Sequence, residues 1–295
     1  MTTLFDGDVH AGLSRLDLEE ESFELGDGIS LSKTYAHLMA PFLMAFKRPA
    51  SPGSHHRGQI KAASGSSGFD VDADLMIPGH IEEQYGSRLA VAKTIVFLLR
   101  LGVNPATTMP VLANLPFSTL EQAQADQTKI IPFEVQPRHF QLAIDRDKAS
   151  ATAIEWVKER WQVTHKLSAQ SGDFALAVEA IDAGQFVENS ALTLVSLWGA
   201  LEVLFAKSRS EITFRLSSLM AAYLEPPGSG RADLKKKIAK LYGKRSDAAH
   251  GKPKHRPDDL LDTFSLLRRV LLAIIDAGEV PSKGHLEDLL FGVDQ

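Results

Sequence analysis

The stretch VENSALTLVSLWGALEVLFAK, residues 187–207, predicts the long helix around which the second half of the chain folds. Its large apolar residues recur at steps of three and four, which places them on one helix face: Leu194, Trp198, Leu201 and Phe205. The only charged residue between Glu188 and Lys207 is Glu202, four positions after Trp198 and therefore on that face. Because an isolated buried charge is costly, Glu202 needs a basic partner from another helix.

Segments with helical spacing continue on both sides of this helix. They cover residues 150–167, 174–183, 211–224, 232–242 and 258–277. Each has an apolar face that a single helix cannot bury, so a helical bundle is the natural solution. The sequence predicts an all-helical domain over residues 146–295.

A base for Glu202 is available in LYGKRSDAAHGKP, residues 241–253, which contains Arg245. His250 follows five positions later, and on an ideal helix the two side chains would point about 140° apart. They converge only if the segment is distorted or lies at a helix end. Residues that favour such an end flank the motif: Gly243, Gly251 and Pro253.

An arginine and a histidine together suit the cleavage of RNA. The guanidinium of Arg245 stays charged and can bind phosphate oxygens through two parallel hydrogen bonds. The imidazole of His250 titrates near neutrality, so it can remove the 2′-hydroxyl proton or protonate the departing 5′-oxygen. This chemistry requires neither a metal nor a cofactor. A purely structural interpretation is open as well, in which Arg245 neutralises Glu202 and His250 caps helix carbonyls.

Positive charge is concentrated around this motif. The whole chain has a net charge of -5, but residues 231–256 contain ten basic and two acidic residues, a local charge of +8. A local positive field is sufficient for binding to an RNA backbone. The predicted RNA-binding residues are Lys235, Lys236, Lys237, Lys240, Lys244, Lys252 and Lys254. The alternative is a solvated helix face, since three consecutive lysines must point in different directions.

The Arg-x4-His spacing, with SLWGALEVLF at residues 196–205 and EITFRLSSLMAAYL at residues 211–224, resembles the Apea-like branch of the HEPN domains. The three blocks follow that family's order. The resemblance implies a helical bundle that pairs with a second HEPN domain, in a homodimer or with another chain. It also implies an endoribonuclease of a prokaryotic defence or toxin system that cuts single-stranded RNA.

The resemblance also assigns roles to residues. Arg245 would contact the scissile phosphate, His250 would act as general acid or base, and Glu202 would orient the arginine. Ser246 follows the arginine directly, where many active members have Asn, Asp or His. The alternatives are a non-catalytic HEPN scaffold that binds RNA or a protein partner in a defence complex, and a toxin restrained by an antitoxin.

Residues 1–145 are predicted to form a separate α+β module of unknown role. Alternation around Gly-Asp-Gly predicts a hairpin at residues 22–32, and residues 34–46 fit either a helix or a buried strand. Pro, Gly and Ser predict a flexible loop at residues 49–68. A helix is predicted at residues 82–101, and strands at residues 107–115 and 129–135.

Composition narrows the class of protein. The chain has no cysteine, which excludes disulfides, thiolate metal sites and cysteine nucleophiles. The longest apolar run, residues 89–101, is interrupted by Lys93 and Arg100 and is too short for a membrane span. No signal peptide is evident at the start of the sequence. We therefore expect a cytoplasmic protein without a membrane partner.

Overall fold

The computed structural model describes residues 5–52, 54, 58–139, 148–205, 212–249 and 256–292. Its chain forms two compact units. Unit 1 contains Met1–Gln84, Thr107–Val135 and Lys148–Ser150, and unit 2 contains Tyr85–Ala106, Gln136–Asp147 and Ala151–Gln295. The helical unit therefore takes in residues 85–106 from the first half, and no single boundary at residue 145 separates the two units.

Unit 1 is built on a six-stranded sheet whose strand pairs are antiparallel, in the order β2-β3-β4-β1-β5-β6. The strands are β1 (Val9–Ser14), β2 (Ser22–Gly26), β3 (Ile29–Ala45), β4 (Ile60–Ile77), β5 (Thr108–Ala113) and β6 (Ile130–Pro132). The strands predicted at residues 107–115 and 129–135 are thus confirmed. An α+β first half is confirmed as well, since two helices, Ile81–Tyr85 and Arg88–Gly102, lie in the chain between β4 and β5.

The predicted hairpin at residues 22–32 is also confirmed. Strands β2 and β3 pair from Ser22 with Ser32 to Gly26 with Ile29. Gly26, Asp27 and Gly28 all have positive φ, at 91°, 53° and 75°. Glycine adopts this backbone region without steric cost and aspartate tolerates it, which explains why Gly-Asp-Gly makes the turn.

Strands β3 and β4 form a much longer hairpin than the sequence indicates. Residues 34–45 lie in strand β3, which ends at Ala45, so the helical alternative is wrong. The predicted loop at residues 49–68 is too long, because strand β4 begins at Ile60. The Ala, Ser and Gly of this segment are typical of loops in composition. Their backbones nevertheless pair with strand β3, from Ile60 opposite Ala45 to Gly68 opposite Met39.

A buried polar pair lies inside the sheet of unit 1. The Nδ1 atom of His10 on β1 is 3.0 Å from Oδ2 of Asp74 on β4, and both residues are less than 8% exposed. The backbone N–H of Phe117 donates to the same carboxylate at 3.2 Å. These contacts satisfy polar groups that would otherwise be costly to bury.

The helices are α1 (Ile81–Tyr85), α2 (Arg88–Gly102), α3 (Ala151–Gln170), α4 (Gly172–Ala183), α5 (Ser190–Phe205), α6 (Ile212–Leu224), α7 (Ser229–Ala249), α8 (Pro257–Ala277) and α9 (Lys283–Phe291). Over the described part of residues 151–292 the regular structure is helical throughout, as predicted. The helix predicted at residues 82–101 is divided, because Gly86 has a φ of 80° and Ser87 caps α2 by accepting from Ala90 N.

Two further differences concern the C-terminal half. Helix α9 was not predicted, and helix α7 extends well beyond the predicted residues 232–242. It runs through Gly243 as regular helix, so this glycine does not end it. Isolated glycine costs a helix only about 1 kcal/mol, which packing of α7 against α5 and α6 readily offsets.

The core of unit 2 contains Trp161 of α3 and Trp198 of α5, both fully buried. Helix α2 joins this core through a close contact at Gly102, where an added Cβ would lie 2.4 Å from the ring of Trp156. Only glycine allows the indole to approach the helix this closely. None of the helices in the described ranges has the length and apolar character needed to cross a membrane.

Candidate active site on helices α5 and α7

Glu202 of α5 and Arg245 of α7 form an ion pair. Nη2 of Arg245 lies 3.2 Å from Oε1 and 3.4 Å from Oε2 of Glu202. The two side chains are 27% and 20% exposed, so the pair lies at the edge of the core and remains open to solvent. The expected basic partner of Glu202 is therefore Arg245. One nitrogen makes both contacts, and this differs from a fork in which two nitrogens bind two oxygens.

Tyr242, one turn before Arg245 on α7, completes the arrangement. Its hydroxyl donates a 3.0 Å hydrogen bond to Oε1 of Glu202, and its ring meets the ring of Trp198 edge-on at 5.1 Å. Burial raises the pKa of the Tyr242 hydroxyl, and the hydrogen bond and negative charge of Glu202 raise it further, while Arg245 opposes them. Glu202 is thus held by a neutral donor and by a cation at once.

Two buried N–H donors in this cluster have no hydrogen-bond partner among the described residues. They are Nε of Arg245 and Nε1 of Trp198. The guanidinium also lies over the Tyr242 ring, 5.8 Å from its centroid. The ring contact and the carboxylate fix the plane of the guanidinium, and the acceptor-free Nε leaves part of its hydrogen-bonding capacity unused.

The other predicted catalytic residues lie along the same stretch. Ser246 is half-buried in α7, directly after Arg245. His250 lies outside the described residues, one position after Ala249, where α7 ends. The structure therefore brings Glu202 and Arg245 together, while the predicted convergence of Arg245 and His250 stays a prediction.

The predicted RNA-binding lysines point in several directions. Nζ of Lys235 lies 4.1 Å from the centroid of the Phe214 ring on α6, and Lys236 pairs with Asp233 at 3.1 Å. Lys237 pairs with Asp262 of α8 at 2.8 Å. Lys240 is exposed and Lys244 is half-buried, whereas Lys252 and Lys254 lie outside the described residues.

Local pairing reduces the field that this helix offers to a polyanion. The carboxylates of Asp233 and Asp262 each neutralise one lysine, so Lys240 and Lys244 are the better candidates for phosphate contacts within α7. Ion pairs of this exposure contribute about 0–1 kcal/mol and exchange readily, so Lys236 and Lys237 can still turn toward a phosphate.

In comparisons with known proteins, no protein-family profile, curated protein or solved structure matches this chain. The resemblance to the Apea-like HEPN domains, over about residues 173–277, therefore stays an expectation from the three sequence blocks.

Sequence analysis missed the contribution of Tyr242. The signal was present, because Tyr242 precedes Arg245 by three positions and Trp198 precedes Glu202 by four. Residues at these spacings lie on one helix face. If the two helices pack against each other at these residues, the pair Trp198 and Glu202 and the pair Tyr242 and Arg245 form one cluster of four side chains.

The hydrogen bond of Tyr242 gives a first testable prediction. Tyr242→Phe is expected to lower the free energy of unfolding by about 1 kcal/mol, since the carboxylate of Glu202 loses a donor. The matched control is Tyr223→Phe, because the Tyr223 hydroxyl is buried with no partner among the described residues. Its removal should be neutral or slightly stabilising in urea-induced unfolding. Equal losses in both variants would contradict a specific role of the Glu202 hydrogen bond.

Proposed function

We propose that this chain is a metal-independent endoribonuclease that cleaves single-stranded RNA through Arg245 and His250. The observation that supports the proposal is the cluster around Arg245. Glu202 pairs with the guanidinium and the Tyr242 ring lies beneath it, and the Arg245 side chain as a whole is 27% exposed. A fixed and accessible cation of this kind suits the binding of a phosphodiester.

The proposed reaction is a transesterification. The 2′-oxygen of the RNA attacks the adjacent phosphorus, and the bond from phosphorus to the 5′-oxygen breaks. The products are a 2′,3′-cyclic phosphate and a 5′-hydroxyl, and a proton moves from the 2′-oxygen to the 5′-oxygen. Arg245 stabilises the negative charge that builds on the phosphate, and Glu202 keeps the guanidinium aligned.

Two proton transfers are needed in each turnover, one at the 2′-oxygen and one at the 5′-oxygen. A single His250 can perform one of them at a time. A second Arg-His set, from another copy of the chain or from another HEPN chain, would supply the other. We therefore propose a dimeric site in a prokaryotic defence or toxin system, where a partner protein or antitoxin could control access to it.

Incubation of the purified chain with single-stranded RNA in the presence of EDTA tests this function. Cleavage products with 2′,3′-cyclic phosphate and 5′-hydroxyl ends are expected, since EDTA removes free divalent metal ions. Cleavage that EDTA abolishes would overturn the proposal.

A chain that binds RNA without cutting it would favour the non-catalytic scaffold. In that case Lys240→Glu and Lys244→Glu should weaken RNA retention, since they remove positive charge from α7.

A further inference from the structure

The outer part of the β3–β4 hairpin, called here the hairpin arm, comprises residues 36–48 and 58–71. Strand β2 pairs with β3 only as far as Ser32, and β1 pairs with β4 only as far as Ala73. Beyond these points β3 and β4 pair only with each other within the described ranges. The five outermost pairs, from Pro41 opposite Ser64 to Ala45 opposite Ile60, extend for about 17 Å.

The β3 strand of the hairpin arm is unusually apolar for a strand with exposed residues. Residues 38–46 read LMAPFLMAF and contain no polar side chain, whereas a strand with one face in water normally alternates apolar and polar residues. Met39 is 73% exposed, Phe46 63% and Ile60 55%. Phe46 and Ile60 lie at the same end of the strand pair, because Ala45 pairs with Ile60, and exposed large apolar side chains that lie close together usually mark an interaction site.

The outer end of the hairpin arm is also basic. Lys47 and Arg48 follow Phe46 directly, Lys61 follows Ile60, and all three cations are exposed. No Asp or Glu occurs from residue 34 to residue 69, although the whole chain carries a net charge of -5. The outer end of the hairpin arm is therefore positively charged in a protein that is acidic overall. Its charge is complementary to an extended negative surface.

We propose that the hairpin arm binds the surface of an anionic lipid bilayer. Phe46 and Ile60 enter the boundary between headgroups and acyl chains, and Lys47, Arg48 and Lys61 contact the acidic headgroups. The unpaired backbone edges of a two-stranded ribbon are costly in hydrocarbon, so the arm reaches the interface and does not cross it. This inference is independent of the proposed RNA cleavage, which involves only unit 2.

A nucleic acid is the competing partner for a basic and aromatic surface. Bases stack on aromatic rings and phosphates pair with cations. Of the described residues beside Lys47, Arg48 and Lys61 at the outer end, Phe46 offers an aromatic ring and Ile60 offers aliphatic surface. Aliphatic side chains beside cations fit a lipid interface better than they fit stacked bases.

Co-sedimentation of the full-length chain with vesicles tests the proposal. One set of vesicles is pure phosphatidylcholine, and the other contains about 30 mol% phosphatidylserine, enough to attract juxtamembrane basic residues. The chain is expected to bind the anionic vesicles at least tenfold better than the neutral ones, and higher salt should weaken the binding.

Two double variants separate the contributions of the arm. Phe46→Ser with Ile60→Ser removes the apolar contacts, and Arg48→Glu with Lys61→Glu reverses the charge; each should reduce binding at least tenfold. The matched controls are Phe291→Ser and Lys166→Glu, which change exposed residues of unit 2 and should leave binding unchanged. Thermal unfolding of every variant verifies that unit 1 remains folded.

Three results would overturn the proposal. The first is binding to anionic vesicles no stronger than to neutral ones. The second is binding that survives both double variants of the arm. The third is loss of single-stranded RNA binding in the arm variants with no vesicle binding in the wild type, which would assign the surface to nucleic acid.

Discussion

Replacing His250 with alanine is expected to lower the rate of RNA cleavage at least ~100-fold, the usual contribution of a general acid or base. Arg245→Lys is expected to lower it by a similar factor. Lysine keeps the positive charge, but its ammonium group cannot present two parallel donors to a phosphate. It also lacks the planar set of N–H donors with which a guanidinium can bind Glu202 and the phosphate at the same time. Both rates are measured with a labelled single-stranded RNA in EDTA.

The control for this prediction is His139→Ala, which removes an exposed histidine of unit 2 and should leave the rate unchanged. Thermal unfolding of the same samples distinguishes a catalytic role from a structural one. If Arg245 serves only to neutralise Glu202, Arg245→Lys should retain activity and stability together. Unchanged cleavage by His250→Ala would remove the assignment of this histidine.

The pairing of Glu202 with Arg245 shows what a sequence pattern can predict. One charge on an otherwise apolar helix face requires a counter-charge, and the burial of that face makes the requirement strong. Which nitrogen of Arg245 meets Glu202, and that Tyr242 shares the carboxylate, depends on how α5 and α7 cross. Sequence spacing carries no information on that crossing.

The β3–β4 hairpin shows where composition misleads. Residues 60–68 contain Ala, Ser and Gly, which are common in loops, yet their backbones are held in register by the apolar strand β3 that precedes them in the hairpin. Strand propensity depends strongly on such neighbours. Helix α2 is a related case, because its mostly apolar sequence fits a helix of either half and only tertiary packing assigns it to unit 2.

A large loss of stability is expected when the partner of Arg100 is removed. Nη1 of Arg100, on α2, lies 2.7 Å and 2.8 Å from the two carboxylate oxygens of Asp182, on α4. The Arg100 side chain is only 3% exposed. Asp182→Ala leaves this charge buried without its carboxylate, which typically costs about 3–5 kcal/mol in the free energy of unfolding. Urea-induced unfolding measures the loss.

The control is Asp276→Ala, which removes one carboxylate partner of Arg160 on α3 and leaves Glu159 as the other. Asp276 is 53% exposed and Arg160 24%, so solvent replaces the lost contact and the expected cost is about 0–1 kcal/mol. Similar losses in the two variants would mean that burial of Arg100 does not determine the strength of the pair.

A second arginine near Asp182 adds to the expected loss of stability. Arg100 and Arg268 line one small cavity of about 10 Å³ together with Asp182, and burial lowers the pKa of the Arg268 guanidinium. Nε of Arg268 donates to the carbonyl of Leu101 at 2.6 Å, which ties α8 to the end of α2. Asp182→Ala removes a negative charge from a cavity that two guanidinium groups line, so the variant should loosen the attachment of α2 to α4 and α8 first. Hydrogen exchange of the α2 amides should then rise before that of α5.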